Sequence, residues 1–190
     1  MNDLVARAEA FATKAHEGQK RKYTETPYIE HPAAVMELVA SVPHTPEMLA
    51  AAWLHDVVED CGVATSLIDM EFGPEVANLV GWLTDVSTPR DGNRATRKAI
   101  DRAHTAKAPP FAKTVKLAAL IDNLWFTIEH DPEFYAYEFA AVYLVENAEL
   151  LTMLRPGDST LFLTACSDVR RVSVSRGLGD VVDNILQVAP

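Results

Sequence analysis

The sequence predicts an all-α domain, and three observations support this prediction. Apolar residues recur at helical spacing along most of the 190 residues. Proline, glycine and helix-capping side chains interrupt these stretches at intervals typical of helix ends. We find neither the alternation and turn residues of a β-hairpin nor an internal repeat. We therefore expect a helical bundle of about eight to ten helices.

The first half of the chain carries clear start and stop signals. Gly18 follows the first helical stretch, as a helix C-terminus prefers, and a loop is expected at 19–29. Pro32 fits the first turn of the second helix, and Thr45 is a suitable N-cap for the third. The predicted helices are 3–17, 32–42, 46–60, 65–72 and 74–86.

The second half begins after a polar loop at residues 87–93. Pro109 and Pro110 interrupt the helical pattern there, and Gly177 and Gly179 separate a last short helix from the rest. The predicted helices are 94–107, 111–130, 132–154, 158 to about 176, and 180–188. We assign residues 1–168 to the main domain and residues 169–190 to a C-terminal helical extension packed on the same domain.

Composition excludes several classes of protein. The net charge of −10 argues against general nucleic-acid binding, which requires lysine and arginine to neutralise phosphates. No apolar run is long enough to span a membrane, and the N-terminus lacks a secretory signal. Cys61 and Cys166 have no disulfide-framework spacing, so we expect reduced thiols in a cytoplasmic protein. No sequence feature fixes the oligomeric state.

His55 and Asp56 are the most informative residues of the chain. An imidazole beside a carboxylate offers two metal ligands, and His31 would complete a two-histidine, one-carboxylate set suited to Mn, Fe or Zn. Glu59 and Asp60 follow one helical turn later, where a carboxylate could orient or deprotonate a water. The alternative makes His31 an ordinary helix-start residue and the acidic pair a polar helix end, although acidic groups are unfavourable at a helix C-terminus.

A basic cluster precedes His31 in the loop. Arg21 and Lys22 could hold the phosphates of a small ligand, since arginine offers a planar fork and lysine a point charge. A solvated basic loop is the simpler alternative. Asn123, on an apolar helix, could bond a sugar hydroxyl or be a buried residue satisfied by backbone. For Tyr28 we expect packing.

Four segments together resemble the HD-domain family of guanosine tetraphosphate (alarmone) hydrolases, over about residues 5–155. They are His16-x-Gly18-Gln19-x-Arg21-Lys22 with Thr26-Pro27-Tyr28-Ile29-x-His31-Pro32, Leu54-His55-Asp56-Val57-Val58-Glu59-Asp60, Phe72-Gly73-x-Glu75-Val76-Ala77-x-Leu79-Val80, and Val115-Lys116-Leu117-Ala118 through Asn123. The resemblance implies an all-α HD-domain bundle. It also implies Mn²⁺-dependent removal of the 3′-pyrophosphate from the alarmone of the stringent response.

The resemblance also implies roles for individual residues. By position, the metal ligands are His31, His55 and Asp56, the residues that activate or support water are Glu59 and Asp60, and the nucleotide contacts are Arg21, Lys22 and Asn123.

The last segment departs from the family pattern at one position. The family reads Lys-Leu-Ala-Asp, and that Asp is a fourth metal ligand, but this chain has Ala119. Three protein ligands can still hold a catalytic metal, and Asp122, three residues further on, is a candidate substitute. Three interpretations stay open: a weakened hydrolase, a metal-free binder, or an inactive variant of an active parent.

Two hypotheses without catalysis stand beside the hydrolase. A non-catalytic nucleotide-binding module would bind the nucleotide without turnover, and Ala119 motivates that alternative. A helical interaction protein would use the same polar residues structurally.

Overall fold

The computed structural model describes residues 3–130 and 137–188, and the all-α prediction is confirmed. The helices are α1 Asp3–Ala15, α2 Glu30–Ala40, α3 Pro46–Leu54, α4 Val57–Cys61, α5 Thr65–Phe72, α6 Pro74–Leu83, α7 Arg94–Ala106, α8 Pro110–His130, α9 Tyr137–Leu154, α10 Ser159–Ser175 and α11 Gly179–Val188. A short 3-10 turn covers Pro89–Asp91. The predicted helix start at residue 132 lies outside the described residues.

Helices α2, α3 and α8 form the centre of the bundle. Helix α2 packs against both α3 and α8, α1 covers α3, and α6 contacts α3, α5 and α8. Helices α9, α10 and α11 pack on one another at the other side of α8. The central position of α2 and α3 brings the end of α3 close to the start of α2, where the sequence places its candidate metal ligands.

Local capping follows the sequence signals. The Thr45 side chain accepts a hydrogen bond from the Met48 N–H at 3.3 Å, as an N-cap does. Gly18 has φ of +78°, the left-handed conformation that ends a helix at low steric cost. Gly18 therefore follows the end of α1, and Thr45 fixes the start of α3.

The predicted helix 46–60 is interrupted at His55 and Asp56. Helix α3 ends at Leu54, α4 begins at Val57, and the two site residues form the turn between them. The His55 Nδ1 atom lies 2.8 Å from the Ala52 carbonyl oxygen, which would take the Asp56 N–H in an uninterrupted helix. Periodicity did not reveal this break because apolar residues continue on both sides of it.

The C-terminal helices α9 and α10 pack against α8. Helix α10 runs without interruption through residues 168 and 169, so it joins the main domain to the predicted extension. It packs on α8, α9 and α11. Among the described residues, no helix combines the length and apolar character needed to cross a membrane.

Candidate metal centre and adjoining cleft

Three side chains predicted as metal ligands converge on one point. His31 belongs to the first turn of α2, and His55 and Asp56 come from the turn after α3. The Nε2 atoms of His31 and His55 are 3.1 Å apart. Asp56 Oδ2 lies 3.0 Å from His55 Nε2 and 3.5 Å from His31 Nε2. The two rings are almost fully buried, at 1% and 5% exposure.

The outer hydrogen bonds of these groups orient them so that they could hold a cation between them. The Nδ1 atoms of His31 and His55 face the oxygens of Asp122 and Ala52, at 2.6 and 2.8 Å. Because an oxygen without a proton only accepts, each Nδ1 carries a ring proton, and in the neutral form of each ring Nε2 then presents a lone pair. Two lone pairs and a carboxylate oxygen therefore point at one another, as the ligands of a divalent metal do.

The pKa values of these groups reflect the same concentration of donors. Burial lowers the pKa of His31. Burial alone would also lower that of His55, but the Asp56 carboxylate outweighs it and raises the pKa. Burial would raise the pKa of Asp56, yet His55 and His31 hold it well below its usual range. A positive charge at this point, carried by a proton or by a metal, is favourable.

Tyr28 contacts Asp56, the candidate carboxylate ligand. Its hydroxyl donates to Asp56 Oδ2 at 2.6 Å, and its ring stacks on His16 with centroids 4.7 Å apart. Burial and the Asp56 charge raise the pKa of Tyr28, so the hydroxyl keeps its proton. The packing expected for Tyr28 is present, and sequence analysis missed the hydrogen bond to Asp56.

Asp122 does not face the three candidate ligands. Its Oδ2 atom bonds the outer nitrogen of His31 at 2.6 Å and Arg21 at 2.8 Å. Within the described residues, the cluster of histidine, cysteine and acidic groups able to hold an ion consists of His31, His55 and Asp56. The suggestion that Asp122 replaces a missing ligand is therefore wrong for this geometry, since the carboxylate lies behind the ring.

Ala119 lies beside the centre, at the position where the family resemblance implies a carboxylate. Lys116, Ala119, Leu120 and Asn123 occupy one face of α8 at the spacing of successive turns. They line a cavity of about 270 Å³ that His55, Asp56 and Glu59 also line. A longer side chain at position 119 would extend into the cavity that contains the candidate ligands.

Glu59 and Asp60 lie on different sides of the centre. Glu59 lines the 270 Å³ cavity and accepts a hydrogen bond from the Asp85 N–H. Partial desolvation raises the pKa of Glu59. Asp60 lines a second, larger cleft of about 800 Å³. The predicted pair therefore divides between two adjoining cavities, and Glu59 is the one that shares a cavity with His55 and Asp56.

The larger cleft contains the predicted nucleotide contacts. Arg21, Lys22 and Asn123 all line it, and Lys22 and Asn123 are exposed. Asn123 is therefore not a buried residue satisfied by backbone. Arg21 is only 8% exposed, and its guanidinium carbon lies 3.5 Å from the Phe126 ring centroid. The basic loop is thus not a simple solvated loop, because its central arginine is buried against α8.

Sequence analysis missed the contribution of helix α7. Arg94 and Lys98, one turn apart on α7, line both cavities. Lys98 pairs with Asp85 at 3.2 Å, and Lys116 lies 3.4 Å from the same carboxylate. These two cations outweigh burial and lower the pKa of Asp85. The spacing of Arg94 and Lys98 was visible in the sequence, but nothing local indicated that α7 borders the site.

The loop between α1 and α2 also contributes to the cleft. Tyr23 has φ of +66°, in the left-handed region that non-glycine residues rarely adopt. Its ring is 56% exposed and lines the larger cleft. An aromatic side chain at such a position offers a flat surface on which a nucleobase could stack.

The fold and this ligand cluster define an HD-domain protein. The HD domain family model matches residues 8–143, and the chain belongs to this family.

Among individual relatives, the chain is 33% identical to the guanosine-3′,5′-bis(diphosphate) 3′-pyrophosphohydrolase MESH1 of Xenopus tropicalis, over 83% of this chain and 88% of that protein. It is 51% identical over 97 residues to an enzyme of the same activity from Vibrio cholerae, of which it covers only 14%.

Solved structures agree with this assignment. A structure described as a metazoan ortholog of SpoT that hydrolyses ppGpp matches with a TM-score of 0.80 and 29% identity, over 94% of this chain and 98% of that one. The lmo0812 protein of Listeria monocytogenes has a TM-score of 0.60 at 22% identity, over 75% of this chain and 97% of that one. The second match concerns the fold alone.

Proposed function

We propose that the protein is a metal-dependent hydrolase that removes pyrophosphate from guanosine 3′,5′-bis(diphosphate) or a closely related phosphorylated nucleotide. The observation that carries the proposal is the inward-facing set of His31, His55 and Asp56 beside a cleft lined by cations. Relatives named for this activity include one that the chain covers almost end to end. A small phosphorylated substrate and free thiols are consistent with the cytoplasmic location expected from the sequence.

The metal would be held by His31 Nε2, His55 Nε2 and Asp56. We propose Mn²⁺, because two imidazoles and one carboxylate form the mixed nitrogen and oxygen set that suits it. When bound, such an ion supplies Lewis acidity, which polarises a phosphoryl oxygen and makes water a stronger nucleophile at neutral pH. Tyr28 and Ala52 hold Asp56 and His55 in position for this purpose.

The charged residues of the cleft would hold the substrate. Lys22, Arg94 and Lys98 border the larger cleft, and Lys116 borders the cavity next to the ligands. Their positive charges would offset the negative charge of the phosphates and the negative charge that develops during the reaction. Asn123 keeps its amide N–H groups for a hydroxyl or phosphate oxygen, because its Oδ1 atom accepts from Arg21 at 3.3 Å. The exposed Tyr23 ring offers a stacking surface for the base.

Hydrolysis requires a group that takes a proton from water, and we assign this role to Glu59. Water attacks the phosphorus linked to the 3′ oxygen, the bond between them breaks, and the 3′ oxygen takes up a proton. The products are pyrophosphate and the guanosine 5′-diphosphate. The Glu59 carboxylate receives the proton lost by water, and its position in the same cavity as His55 and Asp56 supports this role. Asp60 would support the substrate from the larger cleft.

A non-catalytic nucleotide-binding module is the alternative, and Ala119 is the observation in its favour. The test is release of pyrophosphate from guanosine 3′,5′-bis(diphosphate) with added Mn²⁺, compared with His55→Ala and with His44→Ala. His44 is a matched control because its ring contacts only the nearby Val42 carbonyl oxygen among the hydrogen bonds described. Turnover that requires His55 and not His44 supports the hydrolase. Nucleotide binding without release of pyrophosphate supports the module.

A further inference from the structure

We propose that Asp122 is a positioning residue for His31, and that Arg21 in turn holds Asp122 in place. This inference deepens the proposed function, since it rests on His31 being a metal ligand. A single oxygen of Asp122, Oδ2, lies 2.6 Å from His31 Nδ1 and 2.8 Å from the Arg21 guanidinium. The three side chains thus form a continuous chain from the loop before α2, through α8, to the candidate metal ligand.

Asp122 determines which nitrogen of His31 faces the centre. An ionised carboxylate accepts hydrogen bonds and donates none, so the ring proton stays on Nδ1. The Nε2 atom then presents its lone pair towards His55 and Asp56. Histidine ligands in metal sites commonly donate their second N–H to a carboxylate in this way, and the contact fixes both the tautomer and the ring orientation.

Arg21 is held by three side chains of α8 that lie within about one and a half helical turns. Beyond its ion pair with Asp122, the guanidinium donates to Asn123 Oδ1 at 3.3 Å and stacks on Phe126 at 3.5 Å. It is 8% exposed, and the Asp122 side chain is 17% exposed. In this position the guanidinium neutralises the charge of Asp122 and holds the Asp122 carboxylate towards His31. The expected role of Arg21 as a phosphate contact is therefore joined by a role in building the metal site.

The two histidines differ in how they are supported, which makes the inference testable by single substitutions. His55 Nδ1 bonds a backbone carbonyl oxygen, Ala52, that no side-chain substitution removes. His31 depends on the Asp122 side chain. Removing that carboxylate changes the tautomer and orientation of one ligand and leaves the other unchanged.

The experiment compares Asp122→Ala and Asp122→Asn with the wild-type protein. The first readout, in metal-free protein, is the histidine tautomer from long-range proton–nitrogen NMR. The second is Mn²⁺ affinity by calorimetric titration. We expect Asp122→Ala to lose the Nδ1–H form of His31 and to weaken Mn²⁺ binding about 10- to 100-fold. Asp122→Asn keeps an accepting oxygen, so we expect it to retain the tautomer and to lose less affinity. Arg21→Gln should weaken Mn²⁺ binding in the same direction.

Asp168 and Arg171 provide a matched control pair on α10. Asp168 is 15% exposed, accepts a hydrogen bond from Trp125, and pairs with Arg171 at 3.3 Å. Asp168→Ala and Arg171→Gln should leave both the His31 tautomer and the Mn²⁺ affinity unchanged. The inference is overturned if Asp122→Ala retains the Nδ1–H form and wild-type affinity. If Asp122→Ala weakens Mn²⁺ binding but the wild-type protein releases no pyrophosphate, the positioning role stands and the proposed activity fails. Unchanged affinity in an active enzyme rejects the positioning role alone.

Discussion

The Nε2 atoms of His31 and His55 face each other at 3.1 Å, while the Nδ1 atom of each ring is bonded to an oxygen on its outer side. When both imidazoles are neutral, this arrangement brings their two Nε2 lone pairs together. A cation removes that repulsion. The relationship is not explained by packing, because a buried pair of histidines held only for packing needs no common orientation.

Metal should stabilise the folded protein through this pair. A ligand that binds only the native state raises the free energy of unfolding by about 2.7 kcal/mol at a concentration of 100 times its dissociation constant. We expect Mn²⁺ to raise the unfolding temperature of chelator-treated protein, followed by circular dichroism. His55→Ala should abolish the rise and His44→Ala should retain it. An equal rise in all three proteins would place the metal elsewhere.

Ala119→Asp should strengthen the centre. A carboxylate at this position enters the cavity lined by His55 and Asp56 and adds a negative charge beside a divalent ion. We expect Mn²⁺ affinity to rise at least about tenfold, equivalent to about 1.4 kcal/mol, and pyrophosphate release to rise with it. Ala119→Asn, of similar size without the charge, should give a smaller gain. Equal affinity in wild type and Ala119→Asp would show that position 119 does not reach the ion.

The acid limb of the activity profile should report Glu59. Its pKa is raised by partial desolvation, and a general base must be ionised to act. Activity should therefore fall as pH decreases through a value above that of an ordinary glutamate, and should be fully present at higher pH. Glu59→Gln should lower kcat by about 10²- to 10⁴-fold and remove this limb. Asp60→Asn is the comparison, and a larger loss there would transfer the role of base to Asp60.

Much of the fold could be predicted because its signals are local. Thr45 caps α3, Gly18 ends the first helical stretch in the left-handed conformation, and α8 begins at Pro110, where prolines interrupt the helical pattern. The convergence of His31 with His55 and Asp56 could be anticipated from ligand chemistry and family motifs. The sequence did not predict the break between α3 and α4. At this break the His55 ring contacts the Ala52 carbonyl oxygen of its own helix, and a pattern of apolar residues carries no information about such a contact.

The remaining features of the site depend on tertiary packing. Arg94 and Lys98 reach the cavities only because α7 lies along their edge, and Asp85 is placed by its contacts with Lys98 and Lys116. Asp122 illustrates the limit most clearly. Sequence spacing suggested that its carboxylate could reach the candidate metal centre, but the packing of α8 against α2 places it at the outer nitrogen of His31.

Gly157 should be essential for the packing that supports α8. A Cβ atom at this position would lie 2.9 Å from Leu117 Cδ1 and 3.1 Å from backbone atoms of Lys113 and Thr114. Because backbone cannot move aside cheaply, we expect Gly157→Ala to lower the free energy of unfolding by about 1–3 kcal/mol, measured by urea denaturation.

Gly81, within helix α6, is the matched control. A Cβ atom there meets no neighbour within 4 Å, and alanine is favoured over glycine inside a helix by about 0.5–1 kcal/mol. Gly81→Ala should therefore stabilise the protein, so the same change has opposite signs at the two positions. Since α8 carries Lys116, Ala119, Asp122 and Asn123, Gly157→Ala should also weaken Mn²⁺ binding. A Gly157→Ala protein of unchanged stability would show that the loop before α10 yields and that α8 does not depend on this close contact.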